Sequence, residues 1–170
     1  MGSDDAPLTQ AQRLQTALLL FTERVCGGLD VCSYGLTMGE TYVPFDPDED
    51  DDTCDEEEAV CSQAWVRVDS STFITSESWS NGCGGEMSLT LEVGVLRCIE
   101  IPEGGEAPTA TDVTSAALQA MEDMNTIHCA AMSDEDPEDE LWSEIESVQW
   151  TPSGPFGGQA GGIWTFNVTF

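Results

Sequence analysis

An α+β fold is what the sequence predicts: a mostly antiparallel sheet of about four or five strands, flanked by two main helices. Three observations predict it. Apolar residues recur at helical spacing near both residues 14–25 and 113–131, apolar and polar residues alternate through 89–95 and again through 164–170, and the chain order is helix, strands, helix, hairpin. No strand–helix–strand alternation of the parallel, nucleotide-binding kind is present. At 170 residues and 18.3 kDa the chain suits a single domain spanning 1–170.

Residues 1–7 are expected to form a loose tail, after which Thr9-Gln-Ala-Gln12 makes a capping-box pattern. The first helix is predicted over 10–25, with Leu14, Leu18, Phe21 and Val25 on one face and Gly27-Gly28 as its stop. Glu40–Phe45 reads as an extended arm that Pro44 keeps at a sheet edge or outside it. Asp46–Glu58 carries ten carboxylates in thirteen residues, which mutual repulsion should keep solvated as an acidic loop. Ala64–Val68 is a predicted strand. Leu89, Leu91, Val93 and Val95 share one face of a longer strand ending near Ile99, with a turn at Gly82–Gly85 between the two.

The second helix is predicted from a cap at Thr109 or Thr111, with Val113, Ala117, Ala120, Met121, Met124, Ile127 and Ala131 as its buried stripe. Asp134–Glu140 is a second acidic run, followed by a short helical turn around Trp142–Ile145. Residues 148–170 form a Gly-rich C-terminal hairpin. There Pro152, Gly154, Pro155, Gly157, Gly158, Gly161 and Gly162 exclude a helix and suggest a long hinged connection from Gln149-Trp150 to the last strand. In that strand Trp164, Phe166, Val168 and Phe170 would share a buried face.

Charge bounds the function more sharply than any motif does. The chain has 33 Asp and Glu against four Arg (Arg13, Arg24, Arg67, Arg97) and no Lys, for a formal net charge of -29. Phosphate affinity comes from cationic side chains that release counterions, so this composition excludes nucleic-acid binding as a main activity. Self-repulsion at such density falls away near ~1 M salt, where the Debye length is about 3 Å, and Lys depletion with acid enrichment resembles proteins of salt-loving archaea. Met1-Gly-Ser-Asp-Asp begins acidic and Leu18–Phe21 is too short an apolar run to cross a bilayer, which points to no membrane and a cytosol-like compartment. In such a compartment seven Cys, an odd number, favour free thiols, and Cys98 reads as a small core hydrophobe.

Candidate chemistry is sparse. Asp46, Asp48, Asp50, Asp52 and Glu57 follow the ligand rhythm of a calcium loop, but Asp51 stands where Gly is needed, Pro47 stiffens the second position and no helix precedes it. A solvated anionic loop that gathers cations diffusely is the simpler reading. Cys26/Cys32 and Cys54/Cys61 lack the two-to-four residue gap of a compact zinc knuckle. Cys83 and His128 have no tie that would make them a catalytic pair. A small hydrolase would need a concave pocket with one buried Glu or Asp, and abundant carboxylates single out none. No catalytic residue, cofactor or metal is expected. Five Trp, spread along the chain, read as core and subunit contacts.

Three segments in order, Ala64-Trp-Val-Arg-Val68, Glu92-Val-Gly-Val-Leu-Arg-Cys98, and Trp150-Thr-Pro-Ser-Gly-Pro155 followed by Gly157-Gly158, Gly161-Gly162 and Trp164-Thr165, resemble the tail terminator proteins of long-tailed, non-contractile viruses. Similarity is greatest to the forms from viruses of actinobacteria. That resemblance implies a non-enzymatic virion protein of the tail and neck, assembled in the host cytoplasm as a homo-oligomer, a hexameric ring on the head-proximal end of the tail tube. Its partners would be the tail tube protein and a head-tail connector protein, with DNA passing the lumen without specific binding. Interface residues would then be Trp150, Pro152, Gly154, Gly157, Gly158, Gly161, Gly162 and Trp164. Another neck component, an adaptor or stopper, is the near alternative, and a cation-binding acidic protein the distant one.

Overall fold

A computed structural model describes residues 9–31, 33–38, 62–74, 86–99, 107–133, 142–156 and 159–170. The Glu40–Phe45 arm, both acidic runs with the candidate cation residues Asp46, Asp48, Asp50, Asp52 and Glu57, the Gly82–Gly85 turn, Gly157 and Gly158 lie outside them. The elements are α1 (Gln10–Cys26), β1 (Ser33–Met38), β2 (Gln63–Ile74), β3 (Glu86–Cys98), α2 (Ala110–Ala131), β4 (Glu144–Phe156) and β5 (Gln159–Thr169). They form the expected α+β fold, a five-stranded sheet of order β1-β2-β3-β5-β4. Every pairing is antiparallel except β1 with β2, which run parallel.

Both helices start on capping boxes. Thr9 and Thr109 each accept a backbone N–H from the residue three positions on, Gln12 and Asp112, whose side chains return a bond to the cap. Such caps satisfy amide donors that a helix cannot satisfy itself, at about 1 kcal/mol each. The predicted face of α1 is buried: Phe21 and Val25 are fully enclosed and Leu18 nearly so. Gly27 caps the helix in a right-handed conformation (φ −64°, ψ −17°), its N–H donating to the Glu23 carbonyl.

The core lies between the helices and one face of the sheet, where Leu89, Leu91, Val93 and Val95 of β3 meet Phe166 and Val168 of β5 and Ala64 and Val66 of β2. Trp164 and Phe170 are partly buried against it, completing the alternation expected for the last strand. On the opposite face Trp65 pairs with Gly94 and Arg67 with Glu92 across β2 and β3.

Four expectations need correction. Strand β1 was not foreseen, because Ser-Tyr-Gly-Leu-Thr-Met is short and its pairing depends on β2 far along the chain. Trp142–Ile145 is no helical turn: β4 begins at Glu144, which pairs with Thr169 of β5 as Ile145 pairs with Val168. The Gly/Pro stretch is ladder rather than a hinged connection, with β4 reaching Phe156 and β5 beginning at Gln159. Cys98 is exposed and disulfide-bonded, its partner outside the described residues, whereas Cys26 and Cys129 are free.

Candidate assembly surface

The hairpin residues singled out from sequence come together on β4 and β5, with Trp150 opposite Trp164 and Pro152 opposite Gly162. Much of their pattern is explained inside the fold. A Cβ on Gly162 would stand 2.1 Å from the Trp150 ring, and one on Gly94 equally close to Trp65, so each glycine provides the bed on which an indole lies. A Cβ on Gly161 would meet the Val95 carbonyl oxygen at 1.9 Å, so this glycine lets β5 approach β3. Gly154 has φ 95°, a conformation that side chains resist, where the ladder breaks between Ser153 and Phe156.

Trp164 anchors the hairpin to the helix layer. Its Nε1 donates to the Met124 carbonyl at 2.7 Å, and its ring stacks on His128 with centroids 5.3 Å apart. Aromatic contacts continue from Trp150 through Trp164, Phe166 and Phe21 to Trp142, over which the Arg24 guanidinium sits at 5.3 Å. His128, which seemed unconnected in sequence, thus belongs to this cluster; its Nδ1 is buried without a hydrogen-bond partner. Gly161, Gly162, Trp150 and Trp164 hold the sheet together, while Pro152 and Gly154 are exposed on its outer strand.

A second cluster centres on Asp123, a buried carboxylate on α2. Both its oxygens accept from Arg97 of β3 at 2.8 Å, and Gln119 adds a longer bond at 3.3 Å. The remaining Arg97 donors reach the Asp30 carbonyl and the Ser62 hydroxyl. The Asp123 hydrogen bonds raise the Arg97 pKa above its ordinary value. One guanidinium therefore ties together the end of β3, α2, the turn after α1 and the entry to β2. Beside it runs a groove of about 400 Å³, lined by Arg97, Ile99, Asp112, Gln119, Asp123 and Gly161.

Along α2 the predicted stripe holds at Ile127 and Ala131 and fails nearer the start of the helix. Its buried residues are Asp123, Ile127 and Ala131, while Val113 and Met121 are 39% and 59% exposed. Apolar spacing finds Ile127 and Ala131 but not Asp123, because that member of the face is a carboxylate. An Arg near the end of one strand was the only available sign of a partner.

On the helix side of β1 an apolar groove of about 480 Å³ lies between α1 and the strand, lined by Thr16, Leu19, Leu20, Tyr34 and Leu36. Glu23 also lines it and accepts a hydrogen bond from the Tyr34 hydroxyl. Among the described residues no group of His, Cys, Asp and Glu could hold a metal ion, and no helix is long and apolar enough to cross a membrane. No protein-family model matches the chain, and no curated protein is significantly similar to it.

Proposed function

We propose that this chain is a structural virion protein, a tail terminator that forms a ring on the head-proximal end of the tail tube, stops its growth and joins it to the neck. The observation that carries this reading is the arrangement of the three motif segments. They occupy strands that neighbour one another, so Trp65 lies on Gly94, Arg67 pairs with Glu92, and Trp150 lies on Gly162 beside Trp164. An ordered set of short motifs thereby becomes one physical unit.

Charge supports the same role. Arg24, Arg67 and Arg97 are engaged with Trp142, Glu92 and Asp123, which spends much of the chain's scarce positive charge inside the fold. A bore walled by such a protein would repel a passing genome and so not stall it. The one buried carboxylate among the described residues, Asp123, is held by a permanent cation, an arrangement suited to cross-linking rather than to proton transfer.

Tube assembly in vitro tests the proposal. Tail tube protein polymerised in molar salt with this protein should give short tubes carrying a ring at one end. Unchanged tube lengths with bare ends would refute it, and a ring bound only to connector protein would indicate an adaptor or stopper instead.

A further inference from the structure

Cys98, the last residue of β3, is exposed and disulfide-bonded, while Cys26 and Cys129 are free. Its partner is one of Cys32, Cys54, Cys61 and Cys83. A disulfide holds its two Cα atoms about 4.4–6.8 Å apart, and the ladder around Cys98 measures each candidate against that span.

Strands β2 and β3 pair antiparallel with Gln63 opposite Leu96. One step further out, the Arg97 guanidinium donates to the Ser62 hydroxyl at 3.3 Å, so the register runs on with Ser62 beside Arg97. A second step brings position 61 opposite Cys98. Alternation gives the two a common face, because 61 follows the series 67, 65, 63 just as 98 follows 92, 94, 96. Residues directly opposite in an antiparallel pair have Cα atoms about 4.5–5.5 Å apart, within what a disulfide spans.

The other cysteines fit less well. Cys83 stands three residues before Glu86, a reach of at most about 11 Å, whereas Cys98 lies at the far end of the 13-residue strand that Glu86 begins, about 40 Å away. Cys32 precedes Ser33, which pairs with Gln63 on the side of β2 away from β3, so two strand spacings, about 10 Å, separate it from Cys98. Cys54 is related to Cys98 by no register, since residues 55–61 intervene before the ladder begins.

We infer that Cys61 is the residue bonded to Cys98, a cross-strand clamp where β2 begins and β3 ends. It forms by exchange with a low-molecular-weight disulfide. One cysteine thiolate displaces a thiol from this oxidant to give a mixed disulfide, and the second cysteine displaces the other thiol. The two protein thiols are oxidised, the oxidant is reduced to two thiols, and the two cysteine protons end on them. Exposure of Cys98 admits the oxidant, whereas burial keeps the Cys26 thiol out of the exchange. The clamp closes the chain from 61 to 98 into a loop and holds Ser62 within reach of Arg97, beside the Arg97–Asp123 pair. It requires no ring and stands or falls apart from the proposed assembly.

Peptide mapping without reduction tests it. The full chain is equilibrated in molar salt with oxidised glutathione, and its free thiols are blocked with N-ethylmaleimide in urea. Glutamyl endopeptidase, cutting after Glu40, Glu58, Glu77, Glu86, Glu92 and Glu100, then places Cys32, Cys54, Cys61, Cys83 and Cys98 on separate peptides. One linked species joining 59–77 to 93–100, separated by reduction, is expected. Cys98 should take up N-ethylmaleimide in Cys61→Ser and stay protected in Cys54→Ser. Linkage of 93–100 to any other peptide, an alkylated Cys98 in wild type or Cys54→Ser, or a protected Cys98 in Cys61→Ser would overturn the assignment.

Discussion

At Gly161 a methyl group would stand 1.9 Å from the backbone oxygen of Val95, whereas at Gly28 the nearest atom outside its own turn, Thr126 Cγ2, is 4.0 Å from the same position. Gly161→Ala must therefore part β5 from β3 and should cost about 3 kcal/mol or more, while Gly28→Ala should change stability by less than about 0.5 kcal/mol. Urea unfolding in molar salt measures both. Cys26 makes a different prediction. Burial, aided by Glu23, pushes its thiol from an ordinary 9.0 up to about 12. The unfolded chain ionises this group near pH 9 while the folded chain holds its proton to about pH 12, so the stabilisation is complete below pH 9 and is lost as pH rises between those values. Cys26→Ala should unfold with a shallower alkaline slope than wild type. Tyr34, raised by its bond to Glu23, keeps a residual slope of the same sign in the variant.

Strand β5, although last in the described chain, lies between β3 and β4 rather than at an edge. Phe166 on it is fully buried, so Phe166→Ala should cost about 3–5 kcal/mol, and removal of residues 159–170 should abolish cooperative unfolding by calorimetry. A peripheral arm would permit truncation. On α2, Asp123→Ala strands the Arg97 guanidinium, whose side chain is 19% exposed and therefore partly hydrated; a loss of about 3 kcal/mol is expected in the same urea measurement. These elements also mark how far the sequence was legible. The caps at Thr9 and Thr109, the α1 stripe, and the alternations of β3 and β5 were readable because each is a local pattern with its own physics. The parallel strand β1, the carboxylate on the buried face of α2 and the pairing of Pro152, Ser153 and Phe156 with β5 were not. Each depends on a partner distant in sequence: Ala64 and its neighbours for β1, Arg97 for Asp123, and the narrow surface of Gly161-Gly162 for β4. For the candidate surface, sequence identified Trp150, Gly162 and Trp164 as a group but not that they first serve one another.

For the molecule as a whole, a net charge of -29 dominates behaviour in dilute buffer. Raising salt from ~0.1 M to ~1 M shortens the Debye length from about 10 Å to 3 Å, so the thermal midpoint should climb steeply over that interval and flatten above it. A midpoint indifferent to salt would mean that the carboxylates are neutralised by specific contacts rather than by screening. Organisation of charge, as well as its amount, marks this protein: Arg24, Arg67 and Arg97 are engaged within the fold. Electron microscopy of the purified chain in molar salt tests that organisation most directly. Closed rings of uniform diameter, able to stack on the ends of tail tubes, are expected. A field of solitary particles under the same conditions, or particles that bind DNA, would contradict it.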